Sequence, residues 1–146
     1  MREILFRGKG TSGFSNNKWV YGYYCKDFWS PQKGCGILPI DKECGGYVEV
    51  VPETICEFTG KLDKNKKKIF EGDIFQLEDD IFAVVIFSDG CFRLEEHGLC
   101  GTWTESGYDE CGGGYGILDC EPIDWYSLFD MEVIGNIHDN PELIQR

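Results

Sequence analysis

The apolar positions of this chain fall in short bursts separated by glycine, asparagine and acidic residues. Residues 2–7 hold Ile4, Leu5 and Phe6 between charges and predict a strand that stops at Gly8. Residues 8–17 are rich in glycine, serine and asparagine and predict a loop. Residues 18–25 alternate strictly, Trp19, Tyr21 and Tyr23 against Val20, Gly22 and Tyr24, so one strand face is a row of aromatics. Gly22 inside that strand marks a bulge or a close backbone approach.

Residues 27–46 are broken by Pro31, Gly34, Gly36, Pro39, Gly45 and Gly46, and predict a long loop or a short hairpin around residues 36–40. Residues 47–51 predict a strand that Pro52 ends. Residues 58–70 predict a hairpin whose turn lies at Asp63, Lys64, Asn65 and Lys66. Strands follow at 74–77 and 81–87. The second is a continuous apolar run of buried character, turned by Ser88, Asp89 and Gly90 into a partner at 91–94. Residues 95–116 read as loose, a mobile loop centred on Gly112, Gly113 and Gly114. Residues 124–129 predict a strand or one helical turn, and 131–137 a last strand. Asn140, Pro141 and Glu142 then read as cap, first turn and dipole acid of a short terminal helix. The sum is an all-β chain of short strands. It is one domain over 1–146, with two small β lobes, 1–57 and 58–146, as the alternative.

Charge changes the picture more than composition does. The 146 residues carry 14 basic and 26 acidic side chains, a net charge of −12. That argues against a free-standing nucleic-acid binder, which needs a basic footprint. The charge is uneven. Residues 1–68 hold 12 basic and 8 acidic residues, while residues 69–146 hold 2 and 18. Such halves can neutralise each other within a chain or between copies, or leave the acidic half solvated. No apolar run reaches a membrane span. Arg2, Glu3, Arg7 and Lys9 argue against a signal peptide, which places the chain in a reducing cytoplasm. The eight cysteines are then free thiols. No two have Cys-x-x-Cys spacing, and a zinc site would have to be assembled from Cys35, Cys44, Cys100 and Cys111. The expectation is no metal and no cofactor. His97 and His138 are too few for a three-histidine zinc site.

Chemistry has few other handles. Glu71, Asp73 and Asp89 can be imagined around a divalent ion, as in a nuclease. Together with Glu53 and Asp63 they sit at predicted turns, where carboxylates accept backbone N–H bonds. Asp63, Glu71, Gly72, Asp73, Asp89, Gly90 and Asn140 are therefore read as turn-forming residues. Thr59 and Ser88 lack a nucleophile-elbow context and are read as turn caps, and His138 as a surface or packing histidine. Lys61, Lys64 and Lys66, with Lys67 and Lys68, form a basic hairpin tip, either a phosphate contact or a solvated tip that discourages edge pairing. Trp19, Tyr21 and Tyr23 can stack bases or sugars, but core or subunit interface is the commoner use of such a face.

Five blocks occur together: residues 2–8; 19–23; Pro52-Glu53-Thr54 with Phe58-Thr59-Gly60 and residues 63–74; Ser88-Asp89-Gly90; and residues 132–137 with Asn140-Pro141-Glu142-Leu143. In this order the sequence resembles the YopX family of phage and prophage proteins. The resemblance implies a mainly-β, barrel-like fold, a phage or prophage origin in a bacterial cytoplasm, and self-association. It brings no catalytic motif. Where the family has Asn-Gly in the hairpin turn this chain has Asn65-Lys66, and lysine tolerates positive φ poorly. The expectation is a non-enzymatic accessory protein that acts as an assembly module, with itself and a host or phage protein as its partners. The alternatives are an acidic decoy for a basic DNA-binding protein and a metal-dependent nuclease or hydrolase.

Overall fold

The computed structural model describes residues 1–26, 34–40, 46–109 and 113–144. Among these residues thirteen strands run in chain order: β1 (Phe6–Lys9), β2 (Trp19–Lys26), β3 (Cys35–Pro39), β4 (Val48–Val50), β5 (Cys56–Leu62), β6 (Lys68–Phe70), β7 (Asp73–Glu78), β8 (Ile81–Ser88), β9 (Cys91–Leu99), β10 (Thr102–Thr104), β11 (Gly107–Asp109), β12 (Tyr115–Pro122) and β13 (Val133–Asn136). All helical structure among the described residues is single 3-10 turns. The chain divides into two compact units, residues 1–60 and 61–146.

In the first unit the strands lie in the order β4-β3-β2-β1-β5, each described strand-to-strand ladder antiparallel. Val20, Cys35, Ile37 and Val50 form its core, with Phe6, Val48 and Ile55 packed against them. Two glycines are set by packing. A Cβ on Gly8 would lie 3.0 Å from Val50, and one on Gly22 would run into the Leu38 carbonyl oxygen. Gly22 pairs in register with both neighbours, Phe6 and Pro39, so it serves a close approach rather than a bulge. The sheet curls until Gly10, just past β1, bridges Val50. The Val51 N–H donates to the Lys9 carbonyl at 2.8 Å and the Thr11 N–H to the Glu49 carbonyl at 3.1 Å. The Thr54 hydroxyl fastens the same corner: it donates to the Val51 carbonyl at 2.7 Å and accepts the Lys9 N–H at 2.8 Å.

In the second unit the order is β12-β9-β8-β7-β13. The apolar run of β8 is explained by burial on both faces, the condition under which alternation disappears. Ala83 and Val85 pack with Phe75, Phe92 and Leu94, capped by Ile123 and Leu128 from two 3-10 turns. Phe82 and Val84 pack with Ile74 on the other face, against Ile137, Leu143 and Ile144. Asp89 (φ 52°) and Gly90 (φ 78°) both take left-handed backbone between the paired Ser88 and Cys91. That is the mirror-image two-residue turn that matches strand twist, and Asp-Gly is its preferred sequence.

The mainly-β reading holds, and four finer expectations are corrected. No barrel closes. In the first unit the curl ends in an isolated bridge instead of a ladder. In the second, β12 and β13 are outer strands whose register shifts at residues 117/119 and 133/135, and bulged edges resist further pairing. The terminal helix is one 3-10 turn, Pro141–Leu143. Asn140 makes no cap bond to it, because its side chain turns back to the Asn136 N–H at 3.4 Å. The first strand begins at Phe6 and runs through Gly8, whose missing side chain makes room for Val50. The described part of residues 95–116 is mostly strand: β9 extends to Leu99, β12 pairs with it from Tyr115, and β10 with β11 forms a ribbon between them. Glu95, Glu96 and Gly98 hide that strand from the sequence because an outer pairing with β12 tolerates polar side chains and glycine. Gly112, Cys44 and Cys111 lie outside the described residues.

Candidate interaction surface

Register places Trp19, Tyr21 and Tyr23 of β2 on the face opposite the first unit's core. Lys9 pairs with Trp19 and Arg7 with Tyr21 across β1, and Tyr23 pairs with Leu38 across β3. The Ile40 N–H donates to the Tyr21 carbonyl at 3.1 Å. Same-parity residues of paired strands share a face, so Arg7, Lys9, Trp19, Tyr21, Tyr23, Leu38 and Ile40 belong together. Tyr21, Tyr23, Leu38 and Ile40 are all exposed, Tyr23 at 55%. Trp19 is half-buried with the Arg7 guanidinium 4.5 Å and the Lys9 ammonium 5.4 Å from its ring centroid. Such cations hold an indole in place and strengthen as water is excluded. A hollow of about 530 Å³ opens at one end, walled by Phe14, Trp19, Tyr21 and Ile40 with Lys18 on its lining. Among the described residues no acidic side chain lines it. The sequence marked the three aromatics. It missed Arg7, Leu38, Ile40 and Phe14, which only register and the loop brought beside them.

The basic hairpin has a different fate. Asp63 is buried and its carboxylate accepts the N–H groups of Asn65 (2.8 Å), Lys67 (2.9 Å) and Val133 (3.2 Å). Burial alone would raise its pKa. The three backbone donors and the Lys67 charge outweigh that and hold the carboxyl below its ordinary value. Lys64 pairs with Glu132 at 3.0 Å, Asn65 donates to the same carboxylate at 3.1 Å, and Lys61 pairs with Asp124. The Lys64 N–H donates to the Met131 carbonyl at 2.9 Å. Lys66 takes φ 61° after a turn closed by its N–H on the Asp63 carbonyl at 3.0 Å. Only this lysine, and not Asn65, is left-handed, so the tip is a type I turn followed by a left-handed residue.

The acids imagined around a divalent ion are held in their own turns. Buried Asp73 accepts the Phe70 N–H at 2.8 Å, beside Glu71 and Gly72 (φ 83°). The Gly72 carbonyl accepts the Ile137 N–H at 2.9 Å. Asp89, in the β8–β9 turn, accepts the Ser88 hydroxyl at 3.3 Å and lies 3.9 Å from Arg93. Asn136, which the sequence did not single out, accepts the N–H groups of His138 and Asp139 at 3.0 Å and donates to the Asp139 carboxylate at 2.9 Å. Among the described residues no three His, Cys, Asp or Glu side chains gather as a metal site. The described cysteines are free thiols. Burial, then nearby glutamates, pushes Cys35 up, and burial with Glu95 does the same for Cys120. On β9, His97 meets Glu95 at 2.8 Å. Tyr126 donates to Glu96 at 2.7 Å, and burial, that bond and the surrounding carboxylates push the phenol well above its usual range.

No helix among the described residues is long and apolar enough to cross a membrane. No curated protein matches the chain. The family model for the YopX protein matches residues 15–145. Those residues include the stapled hairpin, the Asp-Gly turn and the 132–143 block in full, with β2 and all that follows it: the chain belongs to the YopX family.

Proposed function

We propose that this chain is a non-enzymatic phage or prophage accessory protein, acting in the bacterial cytoplasm as a homo-oligomeric binding or assembly module. Its seat is the aromatic face of β2. One observation carries the reading: Tyr21, Tyr23, Leu38 and Ile40 are exposed side by side on a sheet face. Contiguous apolar surface of that kind, rimmed by polar groups, marks interaction sites. Aromatic residues backed by cations are the usual anchors of such sites. Sedimentation velocity tests it. The wild-type chain is expected to sediment as an oligomer at micromolar concentration. The Tyr21→Ser/Ile40→Asp variant is expected as a monomer with an unchanged far-ultraviolet spectrum. A wild-type chain that stays monomeric overturns the reading.

The acidic decoy remains the second reading, because Glu96 pairs with Asp119 across β9 and β12 and Glu121 lies two residues on, which puts three carboxylates on one sheet face. It requires a stoichiometric basic partner that dissociates as salt rises. Retention of that partner at high salt counts against it.

A further inference from the structure

The hollow at the end of the aromatic face has chemistry that selects its occupant. Its walls are Phe14, Trp19, Tyr21 and Ile40, its charge among the described lining residues is Lys18, and Lys9 stands at the Trp19 ring. The occupant should therefore present aromatic side chains with a carboxylate beside them. At about 530 Å³ the hollow lies within the range of pockets that enclose a compact ligand.

The second unit carries a segment of that description. Its two 3-10 turns, Ile123–Trp125 and Leu128–Asp130, are fixed to the core through Ile123 and Leu128. They hold Trp125 and Phe129 outward at 74% and 84% exposure. Asp124, which pairs with Lys61, and Asp130 flank the two rings. The backbone of the turns is pinned by the Tyr126 N–H on the Ile123 carbonyl at 3.3 Å and by the Met131 N–H on the Leu128 carbonyl at 3.2 Å. The Ser127 hydroxyl on Asp130 at 2.8 Å adds to this. The segment is thus an ordered knob, and it loses little conformational entropy on docking.

We infer that the Trp125/Phe129 knob of one copy seats in the Phe14/Trp19/Tyr21/Ile40 hollow of a second copy, with Asp130 toward its lysines. This rests on the self-association proposed above and names its geometry. The two surfaces differ, so the contact runs head to tail. Every copy keeps one free knob or hollow until a ring closes or a filament grows.

Mixing tests it. Two variants are made, Trp125→Ser/Phe129→Ser without a knob and Tyr21→Ser/Ile40→Asp without a hollow, each checked for native melting. Alone, each is expected to be monomeric, its dissociation constant raised about 100-fold or more by loss of two aromatic or apolar anchors. Mixed one to one, they are expected to form a dimer of one copy each that grows no further, read by native mass spectrometry. If the knobless variant assembles like wild type while the hollowless one does not, the inference falls and the aromatic face stands as a self-complementary interface. If both are monomeric and their mixture forms no dimer, the inference falls as well. If both assemble like wild type, or the wild type is itself a monomer, the inference and the proposed function fall together.

Discussion

The hairpin of residues 61–70 and the face of β2 invite opposite guesses. The hairpin has four lysines in the run 64–68 and an acid at its turn, the raw material of a binding site. The β2 face has tryptophan and tyrosine in alternation, the raw material of a core. In the fold the roles are exchanged. Asp63 spends its carboxylate on three backbone N–H groups, and Lys61 and Lys64 meet Asp124 and Glu132 of their own unit. The aromatics point away from the first unit's core, which is built from the intervening residue Val20 and its neighbours. A polar residue at a turn is accounted for by the backbone it satisfies. An apolar residue on a sheet is accounted for only when something covers it.

That contrast can be broken by mutation, the largest effect first. Asp63→Ala strips an acceptor from three N–H groups, one of them on a strand 70 residues away. It is expected to cost about 3–4 kcal/mol in urea unfolding. A loss under about 1 kcal/mol would mean that water replaces the carboxylate and that the hairpin is not a staple. The same group gives a pH signature. Its folded-state pKa lies below the ordinary 3.8, so its contribution is present above that value and drains away as pH falls toward the folded one. Wild type should lose stability against Asp63→Asn over that acid window and keep a constant difference from it near neutrality. Parallel curves throughout would contradict the depressed pKa. Lys66→Gly relieves a left-handed lysine and is expected to stabilise by about 1 kcal/mol, seen as a higher urea midpoint at unchanged slope. Last, Tyr23→Ser on the exposed face should shift monomer stability by less than about 0.5 kcal/mol. A larger loss would show that the face is covered after all.

Legibility followed the range of each interaction. The Asp-Gly turn, the β8 run and the hairpin tip at 63–66 are local patterns, readable because neighbours in sequence determine them. β9 past Leu94 and all of β12 were not readable, since their pairing is with each other and their Glu95, Glu96 and Gly98 look like loop residues. The terminal helix was over-read from Asn140 and Pro141, a cap signature that Asn140 spends on Asn136 instead. For the candidate surface, the alternation of β2 was legible. Arg7 and Ile40 beside it were not, because they join through cross-strand register. Thr54 and Asn136 carry no pattern of their own and emerge only from their bonds.

The staple between Asp63 and Val133 also has a meaning in time. A ribosome adding about 5–20 residues per second needs roughly 4–14 s to cover that interval. By then the residues of the first unit's core, Phe6 to Ile55, have long been available to pack. The hairpin, already made, holds a carboxylate whose third donor has not yet been synthesised. The first half of this protein can mature as it is made, while the second closes only when its last strand arrives.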